Sequence, residues 1–212
     1  YRILFKIRVL IKRSSKEFID SLLEKNISWK ILDIGCGYTA HSNASVICDV
    51  QDLSHFYKDK KFIRLKEKTL PFKNKEFDFV IASHVMEHVD DVDYFIEELE
   101  RVSVKGYIEL PTILEDNLVF ENKKDHLWHM EFDDNENKLL ISKKIQFLEP
   151  MITVSSIKKL SKYFRQSLIL ELYWENSIEF KKIEKNLENI EKISRLTLVR
   201  KFFSKLFRNI FR

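Results

Sequence analysis

Short apolar runs alternate with segments of helical periodicity over most of the chain. The apolar, β-rich runs lie at residues 30–34, 45–49, 62–65, 77–83 and 105–110. Helices are predicted at 16–26, at 91–102 with Asp90 as the N-cap, and from a cap at Ser156 through residue 164. Regular alternation of strands and helices predicts βαβ units that share a parallel sheet.

The last β-rich runs of the chain predict which strands complete the sheet at one edge. Residues 168–183 contain two β-rich runs around a turn at residues 175 and 176, which we interpret as an antiparallel hairpin. Gly106 is interpreted as a turn residue between the second helix and the fifth strand. Five parallel strands followed by a hairpin predict an α/β fold with a Rossmann-like, doubly wound sheet.

The composition is that of one folded domain with short appendages. The 212 residues are 44% hydrophobic and 33% charged, which is enough for a substantial core. We predict a single domain over 1–194, with a lid or acceptor insertion at 112–150, and a basic amphipathic helix at 195–212. No apolar run approaches the roughly 20 residues that cross a bilayer. With only Cys36 and Cys48 and no disulfide framework, we expect a cytoplasmic protein.

Positive charge is concentrated at the two ends of the chain. Residues 1–16 and 195–212 each carry six basic and no acidic residues, although the net charge is only +4, so the body between them is acidic. An acidic body argues against a nucleic-acid partner. The C-terminal helix either contacts the inner face of an anionic membrane, or packs on the basic N-terminal segment or on a second copy in a homodimer.

The candidate chemistry begins with two of the three glycines. Gly35 and Gly37 directly follow the apolar run that ends at Ile34, where open α/β sheets bind nucleotides. Asp33 lies at the same strand end and can meet an ammonium group, while Asp49 ends the next run and can accept from two ribose hydroxyls. Taken alone, this pattern is also that of an ordinary strand-to-helix turn.

Three further segments make the pattern specific. ILDIGCG at 31–37, TLPF at 69–72 and FDFVIASHVMEHVDD at 77–91 resemble, in order and content, the class I S-adenosylmethionine-dependent methyltransferases that act on small molecules. The resemblance extends over about 17–111, and more loosely over 155–183. It implies S-adenosylmethionine as cofactor, with Asp33, Gly35 and Gly37 at its methionyl part, Asp49 at its ribose, and Ser83 and His84 beside the methyl donor.

The chain departs from that family pattern at three places. The third small residue of the glycine motif is Thr39, and Lys66, next to Glu67, replaces the usual acid before the TLPF segment. The spacing from Gly37 to Asp49 is shorter than the ~20 residues usual in dinucleotide folds. We therefore expect residues 38–44 to form a loop over the cofactor instead of a full crossover helix.

The part of the chain expected to bind the methyl acceptor is marked most clearly by the segment DHLWH at 125–129. In one interpretation His126 or His129 is the general base for an oxygen nucleophile, and Trp128 shapes the acceptor pocket. In the other, these residues belong to a hairpin, turning at 133–137, whose histidines hold its own backbone. Their spacing matches no closed zinc pattern, so no metal site is predicted. His84 lies near the methyl donor, and the pair Glu87 and His88 is interpreted as structural or orienting.

These residues predict an enzyme that methylates an oxygen of a sugar or another small polar acceptor. By analogy, such enzymes accompany the assembly of surface glycans and polysaccharides. Two alternatives stay open: a non-catalytic cofactor-binding regulatory or assembly protein, and a methyltransferase for a lipid-linked or quinone acceptor at a membrane. A nucleic-acid substrate is not expected, because the Asn/Asp-Pro-Pro-aromatic motif and any RNA-binding module are missing.

Overall fold

A computed structural model describes residues 10–185 and 191–210, and its centre is a seven-stranded sheet. The strands of this sheet are β1 (Leu10–Arg13), β2 (Ile31–Ile34), β3 (Val46–Asp49), β4 (Lys61–Arg64), β5 (Phe79–Ser83), β6 (Lys105–Pro111) and β9 (Ile169–Glu175). Their order is β1-β9-β6-β5-β2-β3-β4. The five strands from β2 to β6 run parallel. Strand β9 pairs with β6 in antiparallel orientation, and β1 pairs antiparallel with β9, so that β1 again runs in the direction of the central strands. This order confirms the predicted Rossmann-like fold.

Helices cover the sheet at positions close to those predicted. They are α1 (Lys16–Lys25), α2 (Val92–Val102), α3 (Ile113–Leu118), α4 (Asn122–Asp125), α5 (Val154–Leu168) and α6 (Arg195–Ile210). Two caps differ from the predicted ones. The side chain of Asp91, and not of Asp90, accepts from the N–H of Tyr94, and Thr153 caps α5 through the N–H of Ser156. The predicted loop at 38–44 contains no helix.

The predicted C-terminal hairpin is wrong in its second strand. Strand β9 is buried along nearly its whole length and pairs with β6 on one edge and with β1 on the other. The following strand, β10 (Phe180–Lys182), leaves this sheet and pairs in parallel with β8 (Lys138–Lys143). Strand β1 takes the position beside β9 instead and brings Ile11, which is 2% exposed, into the core.

Gly106 is a strand residue and not the predicted turn. It lies within β6, where an added Cβ would be 2.6 Å from Trp174 Nε1 and 2.7 Å from Val80 Cγ1. The fully buried Trp174 indole of β9 therefore packs directly against the glycine backbone. Glycine is required at this position because the indole lies too close to the backbone for a Cβ, and not because the chain turns there.

The segment between β6 and α5 builds a small structure of its own. After α3 and α4, β7 (Trp128–Asp133) and β8 form an antiparallel hairpin that turns at the predicted residues 133–137. Asp133 accepts there from the backbone N–H groups of Asn135 and Glu136. Together with β10 this hairpin makes a three-stranded sheet beside the main one. Within the described part of the chain, no helix is long and apolar enough to cross a membrane.

Candidate active site

A cavity of about 920 Å³ lies at the carboxyl ends of the central parallel strands. Its walls come from the loop after β2, the end of β5, the segment from α3 to α4, and α5. The predicted site residues that line it are Asp33, Gly35, Gly37, Ser83, His84 and His126. A cavity of this size accommodates a nucleoside-sized cofactor with a small second ligand.

The glycine loop after β2 is held in a shape that other residues would strain. Gly35 has φ +64° and Gly37 has φ +48°, and a Cβ on Gly35 would come within 2.4 Å of Val85 Cγ2. The N–H of Gly37 donates to Asp49 Oδ2 at 2.9 Å, and Asp49 Oδ1 accepts from the N–H of Gln51. Asp49 therefore supports the loop from behind and does not itself line the cavity.

Asp33 presents a carboxylate to the cavity beside this loop. It is 5% exposed, and its Oδ2 accepts from the N–H of His41 at 2.7 Å. Burial raises the pKa of Asp33 to about 6, against the opposing influence of that N–H, of His41 and of Lys60. The group is thus ionised near neutrality, and a ligand ammonium would favour its charged form further.

His84 ends β5 in an unusual backbone conformation, with φ +54°. Its Nδ1 lies 3.3 Å from Glu87 Oε1. Burial lowers the pKa of His84, but the hydrogen bond and charge of Glu87, with the charges of Glu115 and Glu109, outweigh it and raise this pKa to about 9. The neighbouring carboxylates thus favour the charged form of the His84 imidazole.

A buried polar network that the sequence did not reveal forms the floor of the cavity. Glu109 on β6 and Glu171 on β9 are cross-strand partners, and the Tyr107 hydroxyl donates to both. The Arg165 guanidinium of α5 donates to both carboxylates, and Ser83 donates to Glu109. Burial raises the pKa of Glu109, but the Ser83 hydrogen bond and the Arg165 charge outweigh it and leave this pKa below its ordinary value. This network fixes Ser83 at the strand end.

His126 and His129 share one buried carboxylate. Asp116 of α3 lies 2.6 Å from His126 Nδ1 and 2.8 Å from His129 Nε2, and Lys144 Nζ is 2.9 Å away. Burial raises the pKa of Asp116, but hydrogen bonds from both histidines and Lys144 outweigh it and hold this pKa far below its ordinary range. The histidines therefore hold α3 and not, as one interpretation had it, their own hairpin backbone.

Only one of these two histidines reaches the cavity. His126 lines it, whereas His129, on β7, is 2% exposed and lies behind Asp116. Trp128 does not shape the pocket as predicted. Its indole packs against the main core and donates to the carbonyl of Val89 at 2.8 Å, because the alternation of β7 directs it away from the cavity.

Comparison with known proteins places this site in a family. The model of a family described as "Methyltransferase domain" matches residues 32–108, from β2 through β6. An uncharacterized protein of Methanocaldococcus jannaschii is 30% identical over 196 residues, which are 74% of this chain and 84% of that protein. The chain carries the methyltransferase domain of the class I S-adenosylmethionine-dependent methyltransferases. The methyltransferase is thus an enzyme with S-adenosylmethionine as its cofactor.

Solved structures similar to this methyltransferase have low sequence identity to it. An S-adenosylmethionine-dependent methyltransferase from Mesorhizobium loti is 11% identical, with 69% of this chain and 90% of that chain covered and a TM-score of 0.41. A SAM-dependent methyltransferase from Aquifex aeolicus is 13% identical, with 73% and 87% covered and a TM-score of 0.39.

The cavity of the methyltransferase fits its cofactor at two observed features. An ionised Asp33 lies at one side of the glycine loop, where a methionyl ammonium group would need a carboxylate. The second feature is Gly37, where a Cβ would meet nothing within 4 Å and the backbone is open to a ligand. The glycine loop is therefore a cradle into which the ligand can approach the main chain closely.

Proposed function

We propose that the methyltransferase transfers the methyl group of S-adenosylmethionine to a hydroxyl oxygen of a small polar acceptor, such as a sugar. The observation that supports this most directly is His126, an imidazole at the cavity wall whose Nδ1 is held by Asp116 at 2.6 Å. A neutral amine already presents a nucleophilic lone pair, whereas a hydroxyl needs a group that takes or weakens its proton. Sugars, including precursors of surface glycans, present such hydroxyl groups.

The cofactor side of the proposal uses the glycine loop and the end of β5. Asp33 would bind the methionyl ammonium, and Gly35 and Gly37 would give the backbone room. Asp49, predicted at the ribose, would act through the loop that it holds by the Gly37 N–H. Ser83 and His84 would border the methyl donor. When bound, S-adenosylmethionine supplies a methyl group on a positively charged sulfur.

His126 and His129 have different proposed roles toward the methyl acceptor. His126 would take the hydroxyl proton as the acceptor oxygen receives the methyl group that bound S-adenosylmethionine would supply. His129 is a positioning residue, because it fixes the Asp116 carboxylate that orients His126. The protein otherwise supplies alignment and a cavity with little water.

A panel of acceptors tests this proposal. Full-length protein with S-adenosylmethionine should release S-adenosylhomocysteine (SAH) with monosaccharides or nucleotide sugars, and mass spectrometry should show a methyl ether product. Simple amines such as histamine, tested at the same concentration, should release no SAH above the acceptor-free control. Methylation of amines alone would contradict the hydroxyl assignment, and lack of SAH binding by calorimetry would contradict the cofactor site.

A second candidate, a membrane-associated acceptor, is favoured by α6. Its apolar side chains are exposed, among them Leu196 at 76% and Phe202 at 64%. The alternative expected from the sequence was that these side chains pack on the N-terminal segment or on a second copy of the chain. The described part of the N-terminal basic segment is strand β1, while residues 1–9 and Arg212 lie outside the described residues. A helix with large apolar groups and only basic charges suits an anionic membrane surface, at about 1 kcal/mol for each cation.

Flotation with vesicles tests the role of α6. We expect wild-type protein to float at low salt with phosphatidylserine-containing vesicles and to stay behind with neutral vesicles. A variant ending at Ser194 should stay behind with both while keeping the wild-type circular dichroism spectrum, because α6 contributes no fully buried side chain among its described residues. Equal flotation of the two proteins would contradict a membrane role, and unfolding of the shortened protein would assign α6 to the core.

A further inference from the structure

Two segments far apart in the sequence bring three metal-binding side chains together at the cavity. Glu87 and His88 lie in the short 3-10 helix Met86–His88, and His126 follows α4. One potential ligand atom from each lies within 4.8 Å of the other two. The segments are joined by their backbones, since the N–H of Leu127 donates to the carbonyl of Glu87 at 2.7 Å.

The imidazoles of His88 and His126 each have one nitrogen in a polar contact, and that contact determines which nitrogen carries the proton. His88 Nδ1 lies 2.9 Å from the carbonyl oxygen of Asp125, which can only accept, so this nitrogen carries the proton. His126 Nδ1 lies 2.6 Å from a carboxylate oxygen of Asp116, and a nitrogen this close to a carboxylate carries the proton. Each Nε2 is then a free lone pair. A histidine that gives its other N–H to a carboxylate or carbonyl is the usual second-shell arrangement around a protein-bound metal.

The third group is a buried carboxylate with an oxygen that lacks a partner. The Glu87 side chain is 1% exposed, and His84 Nδ1 lies 3.3 Å from its Oε1. Its Oε2 has no hydrogen-bond partner among the described residues. A buried polar oxygen left in this way is costly, and a metal ion at the cavity would satisfy it.

We propose that Glu87, His88 and His126 bind one divalent first-row transition-metal ion. Two imidazoles and a carboxylate are a ligand set of open catalytic zinc sites, which keep a position for water or substrate. Three ligand atoms at tetrahedral angles on one ion lie about 3.4 Å apart for bonds of ~2.1 Å, so separations of up to 4.8 Å must shorten by at most about 1.4 Å. Side-chain movements of that size would close the site around the ion.

The ion would explain how His126 assists the acceptor, and in this respect the inference rests on the proposed function. A divalent ion that holds a hydroxyl group favours loss of its proton. In that case His126 acts as a ligand and not as the direct recipient of the proton. No metal was predicted from the sequence because the three ligands come from separate segments and form no closed zinc pattern along the chain.

Cobalt binding tests the site without any acceptor. Full-length protein, dialysed against EDTA and then freed of it, is titrated with Co²⁺ while visible absorption and calorimetric heat are recorded. We expect one Co²⁺ per chain and a ligand-field spectrum typical of nitrogen and oxygen ligands, which Zn²⁺ abolishes. His88→Ala should weaken binding by about 100-fold. His88 is exposed, so this variant keeps its fold, and His55→Ala removes an exposed histidine outside the cavity as the matched control.

The outcomes separate the metal site from the proposed methyl transfer. No Co²⁺ binding to wild type, or equal binding by wild type and His88→Ala, would overturn the metal site. So would unchanged Co²⁺ affinity in Glu87→Gln, since Glu87 would then only pair with His84. SAH binding, measured in EDTA on the same samples, reports on the methyltransferase alone. Protein that binds SAH but not Co²⁺ therefore disproves the ion and leaves the proposed function standing.

Discussion

His126→Ala is expected to lower methyl-transfer turnover by about 10²–10⁴-fold and to leave SAH affinity within about twofold of wild type. The reason is that His126 lines the cavity at the segment after α4, whereas the glycine loop that would bind the cofactor is a separate wall. Turnover is measured as SAH release with the best acceptor from the panel, and SAH affinity by calorimetry.

The matched control for this prediction is His55→Ala, which removes an exposed imidazole that does not line the cavity. It should keep wild-type turnover. Because His126 is 8% exposed, thermal melting must show that the His126 variant is folded, and His126→Gln offers a substitution of closer size. Wild-type turnover in folded His126 variants would remove this residue from the reaction.

Arg165→Met is expected to cost about 3–5 kcal/mol of unfolding free energy at pH 7. Arg165 is the cation between the buried carboxylates of Glu109 and Glu171, and its removal leaves two like charges facing each other across β6 and β9. Urea denaturation of the ligand-free proteins measures the loss. A difference under about 1 kcal/mol would show that the guanidinium does not compensate these charges.

The sign of the pH dependence follows from Glu109. Its pKa is lowered in the folded protein, so its contribution to stability is present above the unfolded value of 4.5 and is lost as pH falls through the lower folded value. Without Arg165, burial raises the pKa of Glu109. Protonation of Glu109 as pH falls from 7 then removes the repulsion between the two carboxylates and lessens the loss of stability in the variant. The stability gap between the two proteins should therefore be smaller at pH 5 than at pH 7.

A charge-matched variant separates lost charge compensation from lost packing. Arg165→Met combined with Glu109→Gln and Glu171→Gln removes both carboxylates together with the guanidinium. This triple variant should recover at least half of the lost stability at pH 7, because neutral amides can be buried beside Tyr107 at lower cost. Stability no better than that of the single variant would assign the effect to packing.

The features predicted from the sequence are those encoded locally. Apolar runs gave the five parallel strands, and the glycines after Ile34 marked the loop because only positive φ and close approach require them there. The edge strands were not predictable in the same way. Whether β1 or β10 lies beside β9 depends on long-range packing, and nothing within the segment at 168–183 distinguishes the two.

The polar part of the site was predicted less completely, for physical reasons. Glu109 and Glu171 each interrupt an apolar strand, and this was the available signal for the floor network, but their pairing depends on register. Asp116, which orients His126, lies in a short helix of mixed composition with no pattern of its own. His129 and Trp128 were overvalued because a cluster in sequence is divided by strand alternation into opposite faces.

The position of β1 has a consequence for how the chain folds during its synthesis. The parallel strands β2 to β6 are complete once residue 111 has emerged, but β1 pairs only with β9, which ends at Glu175. At the usual ~5–20 residues per second, β1 leaves the ribosome roughly 8–30 s before its partner does. During that interval its backbone hydrogen-bonding groups and those of the β6 edge lack their final partners, and unpaired strand edges favour aggregation. Strand β1, which precedes every other described strand in the chain, is therefore among the last strands of the sheet to find its partner.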